Sequence, residues 1–590
     1  MKKNLFPCVH FLLSICAAPP PHTTPPADRP RMLQRPSSVG LRQSRSSGSP
    51  PRSARPDAAL LRPSLSPLRA AAPDGSAPQQ PPPPVRWLPT LLTFAPAALG
   101  GALFGYDIGA TSGALSSLNS AAAGVDWAGP GGLSSLAAGA VVSSSLLGAL
   151  LGSGAAFAGG EALGRRGELI TAGVLYTAAS LGEATAGSLP ALLAARALYG
   201  LAIGAAMHAA PAYIAETAPP SVRGLLISAK EFCIVGGILA GFSLAFALAA
   251  SGGGGGGEGA VAAGGFAGFV GGLPAWRVLY GSAAPFAGAL TLSALASPES
   301  PRWLALAGKG EGAVAASLRR CRGVRQGEDE NVEAEAACIS RAAAEAAPTA
   351  AADASIPALA LLSHPRYARP VRLCLGLMLA QQVTGQPSVL YFAASIFEGV
   401  GFAPGAGAAG VAAGLGAFKL LATGVAVLAV DRAGRRPLLI GGVGGMTVAL
   451  VALAAAQAAA GAGPPPLPGA PPTPAAWGAV AALLAYVAAY QVSFGPISWL
   501  IVGEALPLAV RGRAAALATL VNFGANFGVS LALPSVQAAL GPAGTYAVFA
   551  VIAALSTAAI AAGVPETKGK SLEEIEAMMM GGERSGGGVD

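Results

Sequence analysis

The sequence predicts an all-α membrane protein with twelve transmembrane helices arranged as two parallel repeats of six helices. Three observations predict this fold class. Only 11% of the 590 residues are charged and 53% are hydrophobic, whereas soluble proteins carry about 25% charged residues. Lys and Arg residues are concentrated in alternate connections between the apolar segments. Several short motifs recur 267 to 288 residues apart.

The first 86 residues are predicted to form a disordered targeting extension. They contain twelve Lys and Arg residues against three acidic residues, with much Pro, Ser and Ala and no hydrophobic periodicity, which is typical of a transit peptide. The first twenty residues have a basic start and a short apolar run, and these resemble a signal peptide. Together they indicate a bipartite plastid address. The alternative is an unstructured tail with a chance apolar patch.

Twelve apolar segments follow, each long enough for the roughly 20 residues that a membrane helix needs. They lie near 88–118, 133–158, 168–187, 190–212, 226–250, 276–296, 371–397, 409–430, 437–460, 476–502, 514–536 and 543–563.

The positions of the basic residues support this count. Of 37 Lys and Arg residues, twelve lie in the extension and 22 lie in every second connection and the C-terminus. Only Arg196, Arg277 and Lys419 lie elsewhere. Such one-sided loading follows the positive-inside rule, and it requires an even number of spans with both termini on one side. We call this side the basic side.

Internal repeats divide the chain into two halves. "GRR" occurs at 164–166 and 434–436, "ETAPPSVRG" is matched by "EALPLAVRG", and "PESPR" is matched by "PETKG". Parallel six-helix repeats explain this pattern. The predicted units are an N-terminal bundle over 87–297, a linker with short helices over 298–370, a C-terminal bundle over 371–564 and a tail over 565–590.

Other chemistries find little support in the sequence. The six cysteines show no CxxC spacing, the four histidines form no HExxH pair, and no phosphate-binding loop is present. The net charge of +8 comes from the extension and the loops, whereas nucleic-acid binding needs a basic face on a folded domain. We therefore expect no metal, no cofactor, no nucleic-acid partner and no enzymatic activity.

The motifs resemble those of the sugar porter family of the major facilitator superfamily. The resemblance rests on "GRR", "PAYIAETAPPSVRG", "PESPRWL", "QQVTGQPSVLY", "SFGPISWLIVGEALPLAVRGR" and "VPETKGKSLEEIE", which occur in this order over about residues 88–576. "FGYDIGATSGA" and "AMHAAPAYIAETAP" are similar to a plant group of D-xylose–proton symporter-like and vacuolar or plastidic glucose transporters. The resemblance implies the major facilitator fold and alternating access, in which two bundles rock around a central sugar site.

One acidic residue lies inside an apolar segment. Asp107, in "FGYDIGATSGA", is costly at mid-membrane unless it is paired or functional. Its best partner by sequence is Arg196 in the fourth segment. The resemblance implies the same pair in proton-coupled carriers, where protonation of the acid releases the arginine. The alternative is a static salt bridge. Glu231 matches a sugar-binding position of bacterial relatives, so it could bind sugar, carry a second proton or simply end a helix beside Lys230.

Neutral polar residues of the seventh, tenth and eleventh segments are predicted to bind sugar, because hydroxyl groups need donors and acceptors rather than charge. The resemblance implies contacts from Gln381, Gln382, Gln386, Tyr391, Phe494, Trp499, Asn522 and Asn526. Many family members have Asn at the position of Pro387, so Gln386 is the nearest amide here. The alternatives are interhelical hydrogen bonding for the amides and plain packing for the aromatic residues, including Phe523.

Acidic and basic residues of the repeated motifs are predicted to form ion pairs that lock the basic side and break when it opens. They are Glu161, Arg165, Arg166, Glu216, Arg223, Glu299 and Arg302 in the first half, and Asp431, Arg435, Arg436, Glu504, Arg511 and Glu566 in the second. Topological anchoring is the alternative, but it does not explain the paired acids.

The sequence thus predicts a monomeric carrier of a monosaccharide such as glucose or xylose, coupled to proton symport in a lipid bilayer. A facilitative uniporter with a structural Asp107 is the first alternative, and a non-transporting membrane sugar sensor is the second. We expect both termini on the cytoplasmic or stromal side. The plastid envelope is the leading location, with the vacuolar and plasma membranes as alternatives.

Overall fold

The computed structural model describes residues 85–119, 125–128, 132–251, 273–324, 330–353, 357–461, 471–507, 510–570 and 572–579. At 161, 330–331, 346–353, 428–432 and 572–573 only the backbone is described. Apart from its last two positions, the extension predicted over 1–86 therefore lies outside the described residues.

The described residues of the N-terminal half form long helices. These are α1 (Trp87–Leu118), α2 (Ser135–Thr185), α3 (Leu189–Thr217), α4 (Arg223–Ser251), α5 (Ala275–Gly281) and α6 (Ala283–Ala296). The linker contributes α7 (Pro301–Leu306), α8 (Glu311–Arg322) and α9 (Glu330–Asp353). Short 3-10 turns lie at Asp126–Ala128 and Ala358–Leu362.

The C-terminal half repeats this arrangement. Its helices are α10 (Ala368–Val383), α11 (Gln386–Tyr391), α12 (Ala393–Gly399), α13 (Ala406–Ala433), α14 (Arg435–Gly461), α15 (Pro474–Val492), α16 (Phe494–Ala505), α17 (Arg511–Gly563) and α18 (Leu572–Met579).

Glycine kinks reconcile these helices with twelve spans. Nine helices within the described ranges are long and apolar enough to cross a membrane by length and composition. Helix α17 has 53 residues, about 80 Å at 1.5 Å per residue, far more than the roughly 30 Å of a bilayer core. It bends at Gly541, where φ is 71°, and α2 bends at Gly164, where φ is 76°. Helices α10 to α12 together form the seventh span, and the predicted twelve-helix fold is confirmed.

Small residues let the helix backbones approach closely where the polar centre of the N-terminal half lies. A Cβ at Gly200 would come within 2.0 Å of the Ser145 carbonyl oxygen, and one at Gly148 within 2.0 Å of the Ala197 carbonyl oxygen. The second and fourth spans are therefore in backbone contact, as small residues allow in membrane helices. The first and fifth spans pack in the same way, because a Cβ at Gly109 would lie 2.3 Å from the Ile238 carbonyl oxygen.

The linker helices pack against the basic-side end of the N-terminal half. Arg86, just before α1, donates to the Gly323 carbonyl oxygen at 2.6 Å. Arg322 donates to the Thr217 carbonyl oxygen at 3.3 Å and pairs with Glu335 at 2.9 Å. These contacts attach the linker to the basic-side ends of the first and fourth spans.

Candidate functional site

Asp107 and Arg196 form a buried ion pair in the N-terminal half, as the sequence predicted from their isolation in apolar segments. Asp107 Oδ1 lies 3.1 Å from Arg196 Nη1, and Oδ2 lies 3.5 Å from Nη2. The Asp107 side chain is 1% exposed and the Arg196 side chain is 0% exposed. At this depth, neither charge could remain without the other.

Neutral groups complete the hydrogen bonding of this pair. Thr111 donates to Asp107 Oδ1 at 3.3 Å, and Ser145 donates to Oδ2 at 3.1 Å. Arg196 also donates through Nη2 to Ser145 at 3.0 Å and through Nε to the Val141 carbonyl oxygen. The close approach of the second and fourth spans brings these acceptors within reach of the guanidinium.

A second carboxyl group, which the sequence analysis missed, shares the guanidinium. Glu183 Oε1 lies 3.7 Å from Arg196 Nη1, and its side chain is 1% exposed. The Tyr280 ring packs against the same guanidinium, with its centroid 5.0 Å from Arg196 Cζ. The signal in the sequence was a lone acid in "TAASLGEATAG", near the end of the third apolar segment.

Amide side chains form the polar centre of the C-terminal half. Gln381 donates to the Phe494 carbonyl oxygen at 2.7 Å and accepts from Asn522 at 2.9 Å. Gln382 donates to Gln381 Oε1 at 3.4 Å. All three amides are buried, so the seventh, tenth and eleventh spans meet here through neutral hydrogen bonds.

Some polar atoms of this centre have capacity left for a ligand. Gln382 Oε1 and Gln386 Nε2 are buried and have no hydrogen-bond partner among the described residues. A buried unpaired amide atom is costly unless something fills its place. Asn526 is committed differently, because its Oδ1 accepts from Ser530, which in turn bonds Ser388 at 3.0 Å.

The predicted aromatic residues occupy different surroundings. Phe494 is buried at the break between α15 and α16. Phe523 meets Phe104 of the other half edge to face, with ring centroids 6.2 Å apart. Trp499 is 41% exposed and lies outside the buried amide cluster. Tyr391 is fully buried and lies within electrostatic range of Asp107 and Arg196, so it connects the seventh span to the ionic centre.

Two further charged residues lie near the contact between the fifth and eighth spans. Glu231 pairs with its neighbour Lys230 at 2.8 Å, and its side chain is 49% exposed. Lys419 is buried in the eighth span, where its Nζ donates to Gln491 Oε1 at 2.5 Å and lies 5.4 Å from the Tyr490 ring centroid. Lys419 was recognised in the sequence only as a basic residue away from the basic side.

The predicted basic-side residues of the N-terminal half come together around the Gly164 kink. The Glu299 carboxylate accepts from the Arg166 backbone N–H at 3.0 Å. Arg165 lies 3.6 Å from Glu216, which also accepts from Ser300. The side chain of Glu161 lies outside the described residues.

The C-terminal half repeats this arrangement. Glu566 accepts from the backbone N–H groups of Arg435 at 3.0 Å and Arg436 at 3.1 Å. Arg435 pairs with Glu504 at 3.2 Å, and Glu504 accepts from Thr567 at 2.7 Å. The side chain of Asp431 lies outside the described residues.

Three further arginines that were predicted to form basic-side ion pairs lie outside these two clusters. Arg223 and Arg302 lie within electrostatic range of each other, as like charges. Arg511 donates to the Leu506 carbonyl oxygen at 3.0 Å. Among the described side chains of the repeated motifs, the ion pairs therefore form within each half, between the "GRR" arginine and the glutamate of the fourth or tenth span.

The two halves touch each other at the opposite end. The Ala394 backbone N–H donates to Ser112 at 3.1 Å, and Ser116 donates to Glu398 at 2.6 Å. Both serines lie in the last turns of α1, far from Arg86. This conformer is therefore closed between the first and seventh spans on the side away from the basic side.

The cysteines in the described part of the chain form neither disulfides nor a metal-ligand cluster. Cys233, Cys321, Cys338 and Cys374 are free thiols there, and no group of three or more His, Cys, Asp and Glu among the described residues could hold a metal ion. Burial raises the pKa of the linker residue Cys321 to about 11, so it stays protonated at neutral pH.

Comparisons with known proteins match nearly all of the described chain. The sequence profile described as "Sugar (and other) transporter" matches residues 93–579. The D-xylose-proton symporter-like 3, chloroplastic, of Arabidopsis thaliana is 43% identical over 84% of this chain and 83% of its own length. The arabinose-proton symporter of Bacillus subtilis is 30% identical over 82% of this chain and 94% of its own length.

Comparison with solved structures also finds a sugar transporter. The xylose transporter XylE from E. coli, in a partially occluded inward open conformation, superposes with a TM-score of 0.63 at 26% identity. The match covers 82% of this chain and 99% of XylE.

Proposed function

We propose, from the premise that this chain belongs to the sugar transporter family of the major facilitator superfamily, that it moves a monosaccharide across a membrane together with a proton. The membership confirms the resemblance drawn from the motifs, and it makes the chain a multi-pass membrane transporter of sugars rather than an enzyme. The relatives named as proton symporters support the coupling.

The observation that carries the proposal is the Asp107–Arg196 pair. A carboxylate with almost no solvent exposure is stable as an anion only beside its guanidinium. Protonation of Asp107 removes the attraction and frees the first and fourth spans to move relative to each other. Uptake and release of one proton therefore change how tightly two spans of the N-terminal half are held.

In this proposal, the C-terminal half binds the sugar. The atoms of Gln382 and Gln386 that lack partners can donate to and accept from hydroxyl groups, and Gln381 and Asn522 can exchange their mutual bond for bonds to a sugar. Tyr391 provides the link between substrate and proton, because it belongs to the seventh span and lies beside Asp107. A sugar that draws in the seventh span thus alters the surroundings of the carboxylate.

The two centres then work as one cycle. With the side away from the basic side open, Asp107 takes a proton and the amides take a sugar. The halves swing to the conformer seen here, in which Ser112 and Ser116 contact the seventh span. Sugar and proton leave toward the basic side, and the ion pair forms again.

The gain from coupling can be sized. One charge moving through 100 mV contributes about 2.3 kcal/mol. At about 1.4 kcal/mol per tenfold change, this sustains a sugar gradient of roughly 50-fold before any pH difference.

The membrane and the orientation are part of the proposal. The chloroplastic relative and the basic, acid-poor extension together support the plastid envelope. The positive-inside pattern supports both termini on the cytoplasmic or stromal side.

The test compares wild type, Asp107→Asn and Asp126→Asn in proteoliposomes that contain a pH-sensitive dye, with glucose, xylose and galactose as substrates. Wild type should acidify the lumen as sugar enters with protons and should accumulate sugar roughly 50-fold at 100 mV. Asp107→Asn should lose both accumulation and pH dependence but keep sugar exchange across equal pH. Asp126 is exposed in the loop after α1, so its variant should behave as wild type.

Two outcomes would contradict the proposal. Good uptake by wild type without any proton movement would identify a uniporter with a structural Asp107. Sugar binding without uptake of any of the three sugars would favour the sensor.

A further inference from the structure

Two buried carboxyl groups, rather than one, face the Arg196 guanidinium. Asp107 lies 3.1 Å from Nη1 and Glu183 lies 3.7 Å from the same atom, and both side chains are 1% exposed. With all three groups charged, the buried centre would carry one negative charge without compensation. Like charges confined to one site are avoided by keeping a proton on one of them.

The hydrogen bonds favour Glu183 as the carboxyl group that holds that proton in this conformer. The Asp107 oxygens accept from Thr111, Ser145 and both Nη atoms of Arg196. Glu183 Oε1 has no hydrogen-bond partner among the described residues. An anion is stabilised by its donors, so Asp107 is the anion and Glu183 is the neutral acid.

Glu183 also lies nearer than Asp107 to the end of the bundle away from the basic side. It is two residues from the end of α2 at Thr185, about 3 Å along the helix, whereas Asp107 is eleven residues from the end of α1, about 16 Å. Arg277 covers this end, where it donates to the carbonyl oxygens of Ala184 at 2.6 Å and Ala186 at 2.9 Å.

We propose that Glu183 is a second proton-binding group of this centre and that a proton arriving from the side away from the basic side reaches it before Asp107. The inference rests on the proposed proton coupling. In the transfer, the O–H bond of Glu183 breaks and the proton binds the Asp107 carboxylate. The arriving proton binds Glu183 in its place, so both carboxyl groups are neutral and Asp107 releases Arg196.

The buried centre gains one positive charge in this step, because the arriving proton stays on Glu183 while Asp107 no longer pairs with Arg196. The swing of the two halves then exposes protonated Asp107 to the basic side, where its proton leaves and the ion pair with Arg196 forms again. Glu183 keeps its proton, which matches the conformer described here. The relay carries one proton in each cycle.

Other titratable groups also face Glu183. From the first, fourth and sixth spans these are Asp107, Tyr106, Arg196, Tyr199 and Tyr280. Because two carboxyl groups share one cation, proton binding to one of them changes the charge that the other faces. The pH profile of wild-type transport should accordingly show two steps, and a variant with one carboxyl group should show one.

The test measures sugar-driven proton flux and sugar exchange at equal pH, both in proteoliposomes, for Glu183→Gln, Glu183→Asp and Thr185→Val. Positioned proton-transfer groups contribute factors of about 10²–10⁴, so we expect Glu183→Gln to lower the proton flux at least about tenfold while exchange stays near wild type. Glu183→Asp should restore part of the flux. Thr185, an exposed residue of the same helix end, is the control and should leave both rates unchanged.

The outcomes separate this inference from the proposed function. Absence of proton flux in wild type would refute symport itself. If wild type carries protons and Asp107→Asn abolishes the flux, but Glu183→Gln keeps the wild-type flux and a two-step pH profile, the relay alone is wrong. A parallel loss of flux and exchange in both Glu183 variants would assign Glu183 a purely structural role and would also overturn the relay.

Discussion

The two six-helix halves bury different kinds of polar group at their centres. The N-terminal half buries charges, with Arg196 between Asp107 and Glu183. The C-terminal half buries neutral amides, with Gln381 bonded to Asn522 and to the backbone of the broken tenth span. Carboxyl groups exchange protons readily, and amides donate to and accept from hydroxyl groups. The contrast therefore supports the proposal that the first half binds the proton and the second half binds the sugar.

The same halves are nearly identical on the basic side. Gly164 and Gly434 both have positive φ and both lie against a glutamate, Glu299 or Glu566, that binds the backbone of the next turn. The two halves thus share a glutamate–backbone contact beside a glycine of positive φ, and they differ in the polar groups at the middle of the membrane. Under the proposed function, the difference between the two centres corresponds to a difference of function on a common scaffold.

Lys419 is the exception in the C-terminal half. It is buried and donates to Gln491 one residue before α15 ends. This bond ties the eighth span to the break in the tenth span, next to the Phe494 carbonyl oxygen that Gln381 binds. The Lys419 amine beside the amide centre still fits the contrast, because no carboxyl group pairs with it within 4.0 Å among the described residues.

The largest effect that would sharpen the comparison is expected for Arg196→Gln. The substitution leaves two buried carboxyl groups without their cation, and breaking a buried pair in this way costs about 3–5 kcal/mol. Thermal unfolding in detergent should show this loss. Arg277→Gln, which removes hydrogen bonds to two carbonyl oxygens and a cation–π contact with Trp276, is the matched control and should cost less.

A second substitution tests whether the loss is electrostatic. Adding Asp107→Asn to Arg196→Gln removes one of the stranded carboxyl groups, so the double variant should regain part of the stability, as coupling between contacting residues requires. An Arg196→Gln protein no less stable than the Arg277→Gln protein would show that the centre is not ionic, and the contrast between the halves would disappear.

The next effect is expected in the amide centre. Gln381→Ala removes the acceptor of Asn522 and the donor to the Phe494 carbonyl oxygen, and it removes a predicted sugar contact. Lost hydrogen bonds of buried groups cost about 1–3 kcal/mol, so KM for sugar should rise by about 5- to 150-fold. The pH dependence of uptake should not change.

Gln457→Ala provides the control for this measurement. Gln457 is another buried glutamine of the C-terminal half, in the ninth span, and its loss should leave KM near that of wild type. Should Gln381→Ala instead shift the pH profile and spare KM, proton and sugar would not be divided between the halves as we infer.

The sequence predicted the fold and much of the site for physical reasons that can be named. Asp107 and Arg196 stood out because a charge in an apolar segment is costly, and the repeated "GRR" motifs fixed the twofold arrangement. Glu183 did not stand out, because an acidic residue three positions before a loop is typical of an exposed helix end. Only the fold shows that Arg277 covers this helix end. Trp499 lies within a family motif, yet its side chain is exposed. The burial of that side chain depends on how the tenth span turns after its break, and no local sequence pattern specifies this turn.

The smallest effect concerns the motif that the two halves share. Burial would raise the pKa of Glu566, but hydrogen bonds from the backbone N–H groups of Lys568, Arg435, Arg436 and Thr567 outweigh it and lower the pKa. A carboxyl group whose pKa is lower in the folded state stabilises that state at neutral pH, and this contribution disappears as the pH falls through the lowered value. Glu566→Gln should therefore destabilise the protein by about 1 kcal/mol at neutral pH.

The pH dependence of that loss distinguishes hydrogen bonding to an anion from simple packing. As the pH falls through the lowered pKa of Glu566, the wild-type carboxyl group also becomes neutral, so the difference in unfolding temperature between wild type and Glu566→Gln should shrink. Glu299→Gln should also destabilise the protein at neutral pH, because Glu299 accepts from the Arg166 and Ser300 backbone N–H groups. Glu345→Gln, on the exposed face of α9, is the control. A loss at Glu566 without a counterpart at Glu299 would mean that the basic-side motifs have diverged as far as the two buried centres have.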